Sequence, residues 1–157
     1  MEPLHYIDLV SSVTTSLPPL PIAELGPPPL TRPRKRLEES RIVIVTSAGV
    51  RQKSEPAFAP VNDLTFRKLD ATIPSTDLAP SHPTPVRKPA EQDINVVYPI
   101  DRLRELGDAG LIGGVTSFHI SYLGTIKKLT DLVTNLAPAM VTAAKEAQAD
   151  GALLVPL

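Results

Sequence analysis

Five consecutive β-branched residues, Ile42 to Thr46, stand out in "RIVIVTSAGV" (residues 41–50). Branched side chains pack well on a pleated surface, so this run predicts a central strand. Ser47, Ala48 and Gly49 follow as a small-residue turn that lets backbone approach a ligand. In open α/β sheets the ligand crevice lies outside the carboxyl ends of the strands, which is where this turn falls. An ordinary strand-to-loop turn accounts for it equally well, and there is no GxGxxG spacing. Pro56 and Pro60 argue against an immediate long helix. Residues 51–92 read as mostly irregular, with "DLTFRKLD" (63–70) as a short strand candidate. In "DINVVYPIDRLRELGDAGLIG", Ile94, Val96 and Val97 predict a strand limited by Pro99. Asp101 stands where an N-cap would, Leu103 and Leu106 share one face, and Gly107 or Gly110 ends the short helix. "VTSFHISYLG" (115–124) alternates enough for a strand or an extended active-site loop. Residues 128–149 carry a stripe of Leu, Val, Ala and Met, which predicts a helix pair or one helix kinked near Pro138. "GALLVP" (151–156) is an apolar run of the kind that forms a strand buried on both faces, normally followed by a covering helix. Strands alternating with helices give an α/β fold: a mainly parallel sheet with flanking helices, incomplete at the C-terminus.

Ahead of this pattern, residues 1–40 form a proline-rich arm. "SLPPLPIAELGPPPLTRPRKR" has clustered prolines that remove backbone donors and favour an extended chain. The expected place for it is along the surface of the α/β region, residues 41–157; a ligand for proline-recognising domains is the weaker reading. The basic run "RPRKR" is balanced by Glu38 and Glu39 and reads as solvated. A formal net charge of −1 gives no general attraction to nucleic acid or anionic membrane. No apolar stretch reaches the roughly 18 residues that span a bilayer, and Asp8 and prolines interrupt any signal-peptide pattern. A cytoplasmic protein is the expectation. The chain has no cysteine, which excludes disulfides, thiolate metal sites and a cysteine nucleophile of its own.

The three histidines, His5, His82 and His119, show no paired metal spacing, so no metal site is expected. His119 has Ser117, Ser121 and Tyr122 around it, and His82 lies in "PSHPTP" ahead of the Asp93–Asn95 segment. Asp93 and Asn95 serve either a ligand or the turns they sit in. The pocket candidates are therefore Ser47, His82, Asn95 and His119. No nucleophile–base pair follows from their spacing, and a sugar or nucleotide binder lacks its phosphate loop.

Several stretches occur in the order of a known family: "RIVIVTSAGV", "SH" at 81–82, "DINVVYPIDRLREL" at 93–106, the Ser/His/Tyr/Gly stretch to Gly124, and "ADGALLVP". On these the chain resembles the selenoprotein B family of glycine, sarcosine and betaine reductases, with the related D-proline reductase subunit. The resemblance covers roughly residues 41–156, and "DINVVYPIDRLREL" is its most specific piece. It implies that the last strand runs straight into a redox loop, with a selenocysteine or cysteine two or three residues past Val155 and so beyond Leu157. A UGA codon read as stop, a frameshift, a split gene or a degenerate protein would each account for that end. The implied reaction is reductive C–N cleavage of a small amino acid or betaine. A pyruvoyl group on a partner subunit holds the substrate, a selenolate attacks the carbon bearing the nitrogen, and a dithiol protein or small dithiol restores the couple. The chain alone is then expected to be inactive, in company with a pyruvoyl-containing subunit, and self-association is a further expectation. The alternative is a non-catalytic binding or assembly module derived from that family. "PTPVRKP" is basic and proline-rich where the family carries more acidic and aromatic residues, which leaves the substrate open.

Overall fold

A computed structural model of the chain describes residues 31–157. The arm expected over residues 1–40 therefore lies largely outside the described residues; its last part includes a 3₁₀ turn at Leu37–Glu39. Residues Pro33–Leu157 form one compact unit.

Strand β1 (Ile42–Thr46) is the central strand that its branched run predicts. Two-residue strands β2 (Arg51–Gln52) and β4 (Leu78–Ala79) pair antiparallel in a small separate ladder. Strand β3 (Phe66–Asp70) falls inside the "DLTFRKLD" candidate. After β4 come helix α1 (Lys88–Gln92) and helix α2 (Ile100–Asp108). Strand β5 (Phe118–Tyr122) is followed by helix α3 over residues 129–146 and strand β6 (Gly151–Val155). The main sheet has the order β3-β5-β1-β6. Strand β1 runs parallel to β5 and β6, while β3 pairs antiparallel with β5. The α/β expectation with a mainly parallel sheet holds.

Strand periodicity divides the core into two layers. Val43 and Ile120 pack with Leu136, Met140 and Ala143 of α3 on one face. Ile44 and Leu69 pack on the other with Ile94, Val97, Tyr98 and the α2 residues Ile100 and Leu103. Val43, Ile44 and Ile120 are fully buried, and each contributes about 1.5–3 kcal/mol relative to exposure.

Helix α3 is one helix, not two. Its turn Leu132–Leu136 is a π turn. Pro138 has no N–H to give and its ring would collide with the carbonyl four residues back, so widening the turn ahead of it relieves both conflicts. Thr142 Oγ1 donates to the Pro138 carbonyl at 3.0 Å, one helical turn later. Helix α2 ends as its glycines suggest: Gly110 has φ +69°, and the Leu111 N–H returns to the Leu106 carbonyl at 2.9 Å.

Three expectations need correction. Ile94–Val96 is a 3₁₀ turn, not a strand of the sheet. Ile94 and Val97 are buried while Val96 is 55% exposed; three-residue spacing places the first two together, whereas a strand would oppose them. The N-cap position of α2 is Pro99, and Asp101 stands in its first turn. The Asp101 N–H is instead met by Asn95 Oδ1 at 3.0 Å. Finally, β6 is not buried on both faces. It is an edge strand of the described sheet, with Leu153 37% and Leu154 70% exposed. An apolar run shows that a strand forms but not what covers it. Residues 51–92 are also less irregular than expected, since β2, β4 and α1 lie there; elements this short leave little periodic signal.

Candidate functional site

Parallel pairing puts the carboxyl ends of β1, β5 and β6 at one edge of the sheet. The chain leaving each strand is tied there to the others. After β1, the Ser47 N–H donates to the Val155 carbonyl at 3.1 Å, and the Ser47 carbonyl accepts from the Gly124 N–H at 2.8 Å. Ser47 Oγ accepts the Leu157 N–H at 2.9 Å, so one serine links all three strand ends. The small residues are required by these approaches. A β-carbon on Gly124 would lie 3.0 Å from Ser47 Cβ, and one on Gly49 would meet Leu123 Cδ1 at 2.8 Å. Gly49 also has φ +61°, which glycine tolerates without strain.

His82 reaches the same edge from the loop after β4. Its N–H donates to the Ala48 carbonyl at 3.1 Å. Its Nδ1 accepts from the Thr84 N–H at 3.4 Å, which assigns the proton to Nε2 in the neutral ring. Nε2 lies 3.3 Å from the Thr125 hydroxyl. Burial and the nearby Arg87 guanidinium hold the imidazole below its ordinary range, so it is neutral at pH 7. Arg87 Nη1 donates to the His82 carbonyl at 3.1 Å. The Thr125 hydroxyl thus faces a neutral imidazole whose backbone is tied to Ala48, the residue after Ser47.

The other two candidates lie apart from this edge. His119 is fully buried within the sheet, where its Nδ1 accepts the Ile44 N–H at 3.0 Å and its ring meets Tyr98 edge-on at 5.7 Å. Burial, aided by Arg104, pushes its pKa down to about 4. Asn95 is a local brace. Its Nδ2 donates to Asp93 Oδ1 at 3.0 Å and to Asp101 Oδ2 at 2.9 Å, while its Oδ1 receives the Asp101 N–H. Ser81 and Thr125 were not singled out in the sequence. Their only signal there is the Ser-His pair at 81–82 and a hydroxyl beside Gly124.

Among the described residues no group of three or more His, Cys, Asp or Glu side chains is arranged to hold a metal ion. No described helix is long and apolar enough to cross a membrane. No family model matches the chain, and no solved structure matches it. A curated relative does: the D-proline reductase subunit gamma of Acetoanaerobium sticklandii is 29% identical over 131 residues. That alignment covers 83% of this chain and 54% of the relative, so the chain spans about half the length of the protein it matches. The chain is a distant homologue of a D-proline reductase subunit.

Proposed function

We propose that the chain is part of a reductase component that supports reductive C–N bond cleavage of a small amino acid or betaine, in the manner of glycine, sarcosine, betaine or D-proline reductases. The observation that carries this reading is the 29% identity to the D-proline reductase gamma subunit across 83% of the chain. The geometry agrees with it: three parallel strand ends converge on Ser47, beside a neutral His82.

The chain's own contribution is to bind and orient. Ser47 and Thr125 offer hydroxyls, and His82 offers an Nε2–H with no positive charge. Such a surface fits a neutral carbonyl-bearing group better than an anion. A pyruvoyl group on a partner subunit would supply the electrophilic carbonyl that holds a substrate amine. The chain has no cysteine, so the selenocysteine or cysteine of the redox step is supplied from outside these 157 residues. A dithiol, on a protein or free, returns the couple to its reduced state. Association with other reductase subunits follows from the same homology.

Reconstitution tests the reading. The 157-residue chain is combined with the remaining portion of the gamma subunit, a pyruvoyl-containing subunit and dithiothreitol. Dithiol oxidation is then followed with D-proline, glycine, sarcosine or betaine. Oxidation that depends on both substrate and this chain is expected. No chain-dependent oxidation with any of the four would leave the non-catalytic assembly module as the better reading.

A further inference from the structure

The loop of residues 56–65, between β2 and β3, reaches the strand-end site without contributing any of the groups named there. It braces its own shape: Asp63 Oδ2 accepts the Ala59 N–H at 2.8 Å, and Asp63 Oδ1 accepts the Thr65 N–H at 3.0 Å. Phe58 seats it. The Phe58 side chain is buried, and a β-carbon on Gly49 would lie 3.3 Å from Phe58 Cδ2, so the ring packs on the turn that follows β1. The Arg67 guanidinium covers the ring at 4.1 Å and donates from Nη2 to the Pro56 carbonyl at 2.7 Å.

Asn62 then grips the chain that leaves β5. Its N–H donates to the Thr125 carbonyl at 2.9 Å, and its Oδ1 accepts the Lys127 N–H at 2.7 Å. Asn62 has φ +56°, a conformation that asparagine and glycine adopt more readily than other residues. Glycine would meet that demand but could not accept from Lys127; asparagine does both. The gripped segment follows Gly124, which leaves its backbone free to turn. Its Thr125 hydroxyl lies 3.3 Å from His82 Nε2, at the long limit of a hydrogen bond, so a further shift of a few tenths of an ångström would break the contact. We propose that Asn62 is a positioning residue: from outside the site it fixes Thr125 so that the hydroxyl stays on the His82 imidazole. This role rests on the reading of the edge as a substrate-binding surface, where the Thr125–His82 pair orients what binds.

Nitrogen spectra of the full 157-residue chain at neutral pH test the role. Thr125→Val removes the hydroxyl and is expected to displace the His82 Nε2 resonance. Asn62→Gly keeps the backbone conformation and the N–H but loses the acceptor. It is expected to displace Nε2 in the same direction and to speed exchange of the Lys127 amide about five- to tenfold, with the β1 amides unchanged. An unmoved Nε2 in either variant would overturn the proposal. Hydrogen exchange in the parent chain gives an answer that needs no variant. The Asn62 and Lys127 amides should open together and more readily than those of β1; unrelated rates for the two would equally overturn it. In the reconstituted reductase, Asn62→Gly is expected to raise KM about fivefold with kcat little changed, and an unchanged KM would count against the role. Absence of dithiol oxidation in every assembly would remove the reductase reading alone, since the spectra decide on Asn62 by themselves.

Discussion

His119 Nδ1 accepts the Ile44 N–H, so protonating the ring removes an acceptor that the buried strand needs. Its folded pKa is about 4, below the ordinary value of 6.5. Between those two values the unfolded chain binds the extra proton and the folded chain does not. Stability therefore falls as pH drops through that window, by about 2 kcal/mol between pH 7 and 5 from this residue. Urea unfolding at the two pH values should show that loss. His119→Asn, which keeps an acceptor and does not titrate, should show a smaller loss; an identical pH dependence in both proteins would count against the assignment. Of the hydroxyl residues read around His119 in the sequence, alternation sends Tyr122 with Ile120 to the opposite layer and keeps the buried Ser121 on the ring's own face, while the ring itself meets Tyr98 edge-on. Asn95 reads in the sequence as either a ligand group or a turn brace, and its three bonds in the fold run to Asp93 and Asp101. Asn95→Ala should cost about 1–2 kcal/mol by removing the acceptor for the Asp101 N–H; Asn95→Asp keeps that acceptor but sets a third carboxylate against Asp93 and Asp101, and at neutral pH should cost at least as much.

At the level of elements, residues 41–50 were legible because strand, turn and small-residue contacts all follow from local chemistry. The 94–97 segment was not, because Ile94, Val96 and Val97 have strand-like composition while their burial follows a three-residue repeat. The Asp93 side chain accepting the Asn95 N–H at 2.9 Å is the local signal that favours the turn. Val97 remains a core residue in either geometry, only 1% exposed. Val97→Asp is expected to lower stability by about 3 kcal/mol or more, since it buries a charge. Arg34→Ala, at an exposed position, should stay within about 0.5 kcal/mol. Equal shifts in melting temperature for the two would contradict the core assignment.

Across the whole molecule, β6 is the edge of the described sheet, where an exposed Leu154 and a partly exposed Leu153 present apolar surface beside a strand side with no ladder partner among the described residues. Such edges promote association between chains. Leu154→Lys should raise the soluble, monomeric fraction measured by size-exclusion chromatography; no change would mean that this edge does not govern association. A second expectation concerns chemistry. Without a thiol or selenol, the 157-residue chain alone should release no amine from any substrate in the presence of a dithiol. Robust turnover would show that the nucleophile does not have to come from elsewhere. The convergence of Ser47 and His82 was only half visible in the sequence, because it depends on which strands lie side by side.

Strand pairing also sets a timetable. The bond from the Arg41 N–H to Asp150, at the start of the β1–β6 ladder, spans 109 residues. On a ribosome adding about 5–20 residues per second, β1 emerges roughly 5–20 seconds before β6 is made. During that interval one side of the most hydrophobic strand in the sheet waits without its partner. The yield of this protein should therefore depend on how well β1 is shielded during that interval as well as on the stability of its finished fold.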